Sequence, residues 1–284
     1  RNVISHRRVI AYFQAMTQFL HLALASVLAL CAAAPLRATT QDDVLSATIL
    51  PGWRMENGHH MAAISLTLAP SWKTYWRAPG EAGIPPLFDW SGSENVKSVA
   101  IHWPSPQVFH TNGMETVGYH DALVLPIEIT PRDPAAPIAL RAQMDLGVCK
   151  DICMPAAVQL QADLGTTGNP DPAIRAALKA RPHSGAEAGV AQVTCVVDPI
   201  ADGLRVTATL TMPPRSAEEV VVFEAGAPSV WVSESVTSRK GGVLTSVSEM
   251  VESSGAPFAL DRSKVTVTVL GAERSVEISG CPAP

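Results

Sequence analysis

The sequence lacks any excess of basic charge. Its 284 residues carry 21 Lys and Arg against 26 Asp and Glu. Four of the bases, Arg1, Arg7, Arg8 and Arg37, lie in the first 38 residues, where there is no acid, so the remainder holds 17 bases against 26 acids, or −9. That balance excludes a phosphate-binding surface and a nucleic-acid partner. Cysteine is scarce as well, and five in a chain of this length are too few for a small disulfide scaffold. Beyond residue 38 no apolar run is long enough to span a bilayer, so no transmembrane domain is expected in the mature chain. No internal repeat is present. With 47% hydrophobic and 17% charged residues the composition is that of a globular protein, which excludes collagenous, coiled-coil and wholly disordered readings.

What is present begins with residues 19–34, FLHLALASVLALCAAA, which come after Arg7 and Arg8 and precede small residues. These are the three parts of a secretory signal peptide, expected over 1–38 with cleavage after Ala38. Cys31 comes after Leu30, too large a residue for a lipidation site. Export permits stable disulfides in the mature chain.

From 39 to 166 the dominant pattern is period-two alternation, as in Ile64-Ser65-Leu66-Thr67-Leu68, with turn signals at Pro79-Gly80, Pro104-Ser105-Pro106 and Asn112-Gly113. The only convincing helix is 171–180, with Asp171 as N-cap and Pro172 at its first position. Residues 182–189 are small and read as a linker. Short strands resume at 204–212, 220–224, 229–236, 243–250, 264–270 and 275–278. The expectation is all-β: a domain over 39–166, a helix and linker over 167–189, and a second β-sandwich over 190–284.

Residues 138–164 are the most informative. Ile138, Leu140, Ala142, Met144, Leu146 and Val148 share one parity, opposite to Arg141, Gln143, Asp145 and Gly147, and after the cysteines Met154, Ala156, Val158, Leu160 and Ala162 are the apolar row. Folded back antiparallel with Cys149 opposite Cys153, the pairs have indices summing to 302, and one register puts both apolar rows on one face. The two cysteines then oppose each other on the polar parity across Lys150-Asp151-Ile152, within disulfide reach. Such a short bridge is either a readily reduced redox pair or a hairpin staple. Soft donors at Cys149, Cys153 and Met154, with His59-His60-Met61, also allow a copper-binding or interaction module, although adjacent His59 and His60 would point to opposite faces of a strand. Cys195 and Cys281, near the two ends of the last domain, are expected to form a structural disulfide; the alternative is that they are free or that Cys195 is a second redox thiol.

Four blocks carry a family resemblance: residues 71–86 (SWKTYWRAPGEAGIPP) with Asp89-Trp90; Trp103 to Pro106; Gly118-Tyr119 with Leu125-Pro126; and residues 148–155 (VCKDICMP). Together they resemble the N-terminal periplasmic domain of DsbD-type protein-disulfide reductases, in particular the copper-sensitivity suppressor branch. The resemblance implies a periplasmic thiol-disulfide oxidoreductase component in which Cys149 and Cys153 are the catalytic pair. No cofactor or metal is expected. It also implies immunoglobulin-like sandwiches, a membrane-embedded electron donor on another chain, thioredoxin-like acceptors, and a mixed disulfide at Cys153. A loop shielding the cysteines would fall near Phe109 to Gly113. Trp72, Tyr75, Trp76 and Phe109 are candidates for a docking surface, against the alternative that large aromatics pack in the core.

Overall fold

Alternation of apolar and polar residues decides the architecture, because each strand has one face to bury. In the computed structural model residues 38–284, apart from 112 and 273, are described, and Gln41–Pro284 form one compact unit. All but the last residue of the expected signal peptide, and Cys31, lie outside the described residues. No helix among the described residues is long and apolar enough to cross a membrane.

The first group of elements opens with one helical turn, α1 (Gln41–Val44). It continues with β1 (Leu45–Arg54), β2 (His60–Leu68), β3 (Lys73–Tyr75), β4 (Leu87–Asp89) and β5 (Val96–Ile101). Then come β6 (Gln107–Thr111), β7 (Met114–His120), β8 (Ala122–Pro131), β9 (Ile138–Cys149) and β10 (Cys153–Leu164). One sheet has the order β1-β2-β8-β5; the other runs β10-β9-β3-β7-β6, with β4 also on β9. Ile64, Leu66, Leu123 and Leu125 of the first sheet meet Met144, Leu146, Val148 and Val117 of the second in a shared core, into which Trp72, Trp76 and Trp103 also pack. Each such aliphatic side chain, fully buried, contributes about 1.5–3 kcal/mol over its exposed state.

Helix α2 (Pro172–Lys179) comes next, its first turn capped by Asp171, whose carboxylate accepts from the N–H groups of Ala173 and Ile174. Ile174 and Ala177 are its buried face. The second group comprises β11 (His183–Ser184), β12 (Gln192–Pro199), β13 (Leu204–Thr211), β14 (Val220–Glu224) and β15 (Val230–Val232). It ends with β16 (Val236–Lys240), β17 (Val243–Glu252), β18 (Thr266–Leu270) and β19 (Val276–Ser279). Its sheets run β11-β19-β18-β14 and β12-β13-β17-β15, with β16 on β17, around a core that includes Val206, Leu210, Phe223, Leu244 and Val267. The small-residue segment read as a linker is tied down: His183 and Ser184 pair in parallel with Val276 and Glu277, and Ala188 is buried. Cys195 and Cys281, both buried, are joined by a disulfide with Cα atoms 5.4 Å apart, linking β12 to the chain beyond β19.

The two groups meet. Leu270 belongs to the first core, with Val220 and Val222 packed against it. Beside this seam Arg77 donates to both carboxylate oxygens of Glu224 at 2.9 Å and to Glu277 at 2.5 Å. Those bonds hold the guanidinium pKa above its ordinary value although burial opposes them. The three side chains keep 26%, 25% and 34% of their exposure, so the network is worth less than a fully buried pair. Arg77→Met is expected to lower the unfolding free energy by roughly 1–3 kcal/mol. Urea denaturation reads this directly, and an unchanged midpoint would show that the seam does not depend on Arg77.

Candidate functional site

The site is built on the β9–β10 hairpin. Its register pairs Cys149 with Cys153, Val148 with Met154, Met144 with Val158 and Gln143 with Gln159, the pairing that buries both apolar rows. Cys149 and Cys153 form a disulfide, with Cα atoms 4.1 Å apart. Between them the turn is closed by the Lys150 N–H donating to the Ile152 carbonyl, and Ile152 stays exposed.

The two sulfurs are not equivalent. Cys153 is exposed, whereas Cys149 keeps 1% of its surface. The polar parity of β9 points away from the core, so both cysteines would be accessible on an open sheet. Other segments cover that face at its Cys149 end. Strand β3 lies beside β9, with Lys73 opposite Cys149 and Thr74 opposite Val148, and the Thr74 hydroxyl donates to the Gly147 carbonyl at 3.0 Å. Tyr75 and Ile84 crowd Gly147: a Cβ added there would stand 2.8 Å from the Ile84 Cβ and 3.0 Å from the Tyr75 ring. Glycine at 147 is therefore what lets the cover close.

Alternation within residues 72–76 sorts their side chains. Trp72, Thr74 and Trp76 are all buried, and the two indoles belong to the core. Lys73 and Tyr75 have the opposite parity and share the face of the disulfide. The Tyr75 hydroxyl donates to Cys149 Sγ at 2.9 Å and stands 3.5 Å from Cys153 Sγ. Burial raises the Tyr75 pKa, so it remains a donor across the neutral range. Of the four aromatics considered for docking, Trp72, Tyr75 and Trp76 are buried at 9%, 2% and 0% exposure. Phe109 alone is partly exposed, on β6, its ring edge-to-face with His120 at 4.6 Å and under the Lys73 ammonium at 5.0 Å. Of the segment expected to shield the cysteines, Phe109, His110 and Thr111 line a cavity of about 320 Å³ together with Lys73, His120, Cys149 and Lys150. A larger cavity, about 610 Å³, lies between residues 77–85 and the β14–β15 region and reaches neither sulfur.

The other soft or nitrogen donors are held elsewhere. His59 Nδ1 is 2.6 Å from one oxygen of Glu128 and His102 Nε2 is 2.9 Å from the other. The His59 bond first, and the His102 bond after it, hold the Glu128 carboxyl below its ordinary pKa. His60 is buried with Nε2 donating to the Pro51 carbonyl at 2.7 Å, and Met61 packs with Ala63 and Ile174. Among the described residues no three His, Cys, Asp or Glu side chains converge as a metal-binding group. Sequence reasoning passed over Lys73, although the alternation Trp72-Thr74-Trp76 already implied that Lys73 and Tyr75 share the other face.

Comparison with known proteins agrees with this geometry. The fold is similar to the crystal structure of the N-terminal periplasmic domain of ScsB from Proteus mirabilis, with a TM-score of 0.64 over 87% of this chain and 96% of that one, at 23% identity. No curated protein sequence matches the chain. Residues 44–164, which contain both sheets of the first group and the cysteine hairpin, match the family model described as thiol:disulfide interchange protein DsbD, N-terminal, and this part of the chain is similar to that family.

Proposed function

We propose that the protein is a periplasmic electron carrier acting by thiol–disulfide exchange, in which Cys149 and Cys153 cycle between disulfide and dithiol. The observation that carries this reading is the unequal disulfide: within an interchange-family domain, one sulfur is open to a partner and the other is held on a tyrosine hydroxyl. Exchange needs an accessible sulfur for the incoming thiolate or disulfide and a second thiol to finish the reaction. Cys153 suits the first role and Cys149 the second.

In the direction that reduces a partner, the Cys153 thiolate attacks the partner's disulfide. A Cys153–partner S–S bond forms, the partner's own S–S bond breaks, and one partner thiolate leaves. Cys149, as thiolate, then attacks Cys153 Sγ; the Cys149–Cys153 bond forms and the second partner thiolate leaves. Two electrons pass to the partner, and its thiolates take up the two protons that the cysteines gave away. Running the same steps backwards against a dithiol donor recharges the pair. Thioredoxin-like proteins suit the acceptor side because their own thiol is activated at a helix N-terminus, and a membrane-embedded dithiol protein suits the donor side. The organisation that goes with this function is a signal peptide over 1–38, an immunoglobulin-like redox domain over 39–166, a connecting helix and segment over 167–189, and a second immunoglobulin-like domain over 190–284.

Two outcomes test the reading. Cys149→Ala is expected to trap a mixed disulfide with a thioredoxin-like partner at Cys153, while Cys153→Ala, leaving only the covered thiol, traps at least tenfold less. Both variants should still unfold cooperatively, because the chain-entropy model gives a bridge closing so short a loop only about 2 kcal/mol. Equal trapping by both variants, or none by either, would overturn the roles. The second outcome concerns the two disulfides. The Cys195–Cys281 bridge spans 86 residues of sequence, worth about 4–5 kcal/mol in the same model. In a glutathione buffer, with alkylation and mass spectrometry as the readout, Cys149 and Cys153 should label first, with Cys195 and Cys281 protected. Equal labelling of all four would sink the division into one labile and one inert bridge.

A further inference from the structure

Lys73 is a cation set inside the fold. It keeps 8% of its surface, yet among the described residues no carboxylate lies within salt-bridge distance of it. Its ammonium donates to the Thr116 hydroxyl at 3.0 Å and lies over the Phe109 ring. Both contacts are neutral, and burial pushes the lysine pKa down. An ammonium partly withdrawn from water is favoured by a counter-charge arriving beside it in the working cycle.

The register supplies one. Lys73 is directly opposite Cys149 on the neighbouring strand, a position that holds Cβ atoms about 4.5–5.5 Å apart on one face, and both residues line the cavity beneath Phe109. Cys149 is neutral in the disulfide and anionic in the exchange: it leaves as thiolate when the donor attacks Cys153, and it must be thiolate to close the disulfide again. Burial by itself would favour the protonated thiol. The other groups around it do not supply an anion: His120 is opposite Lys73 on β7, His110 and Lys150 are on the cavity wall, and Tyr75 is a neutral donor to the sulfur. Asp121, the acid next to His120, accepts from the Ser71 N–H and does not line the cavity.

We infer that Lys73 is a positioning residue for the exchange: it is the cation that stabilises the Cys149 thiolate, and reducing the pair completes the ion pair that the oxidised protein lacks. The inference rests on the exchange reading of the Cys149–Cys153 pair. A unit charge at this separation in a partly desolvated site is worth about one to two pK units. The exposed Cys153, one strand further from Lys73, gains less from its charge.

The test uses the full chain with Cys153→Ala, chemically reduced so that Cys149 is the only free thiol among the described hairpin residues, and measures thiolate absorbance against pH. Lys73→Met in that background is expected to raise the Cys149 pKa by at least one unit, a tenfold loss of thiolate at pH values below it, and Lys73→Arg to restore most of the shift. An unchanged pKa in a folded Lys73→Met protein overturns the inference. Should that variant not fold, the unsubstituted protein decides: linkage requires the Lys73 ammonium, observed by NMR of a methylated lysine, to titrate at least one unit higher in the reduced form than in the oxidised form, and equal values overturn the inference. Because these titrations are made on protein reduced or oxidised chemically beforehand, they do not depend on glutathione equilibration, whose failure would count against the exchange reading alone.

Discussion

Everything at the site depends on the pairing of Val148 with Met154. That pair is the last apolar rung of a hairpin whose rungs Met144 with Val158 and Leu140 with Ala162 all face the core. A slip of one residue would turn Leu140, Met144 and Val148 toward solvent, at a cost of several kcal/mol from their burial alone. The register is thus pinned along its whole length, and Cys149 and Cys153 are set opposite each other by packing that does not involve sulfur. Geometry for closing the bond is retained after the bond opens, which is what a pair that closes and opens repeatedly requires.

The second constraint is strand β3, three residues long and placed between β9 and β7. Its parity divides the work. Trp72 and Trp76 on either side of it anchor the chain in the core, and that anchoring holds Lys73 and Tyr75 on the sulfur face. Gly118 on β7 belongs to the same arrangement: a Cβ there would stand 2.0 Å from the Thr74 carbonyl oxygen, so the close approach of β7 to β3 depends on its absence. Burial of Cys149 and polarity around it act in opposite directions, since desolvation disfavours the thiolate while a hydroxyl donor and a cation favour it.

This also explains what the sequence discloses and what it hides. The hairpin register, the helix capped by Asp171 and the strand at 220–224 are local patterns, each decided by residues close to one another along the chain. The cover over Cys149 is not local. It comes from Tyr75, Ile84 and the 109–111 segment, which the chain brings together from three separate stretches, and parity alone assigns that face to solvent. The same holds for residues 183–184, whose small and polar neighbours read as a linker but whose backbone pairs with β19, far along the chain. Composition describes the segment; only the far strand supplies its partner.

The placement of stability obeys the same division. The hairpin disulfide joins residues only 4 apart in sequence and constrains the unfolded chain little, whereas the Cys195–Cys281 bridge closes most of the second group. Strand packing, the seam at Leu270 and Arg77, and the long bridge do not use the Cys149–Cys153 bond. Opening the short bridge therefore removes about 2 kcal/mol, less than half of what the long bridge contributes in the same model. On the exchange reading, a bond that breaks in every cycle is tolerable only where the fold does not lean on it, and in this chain the exposed sulfur of Cys153 sits beside a turn whose register the core has already fixed.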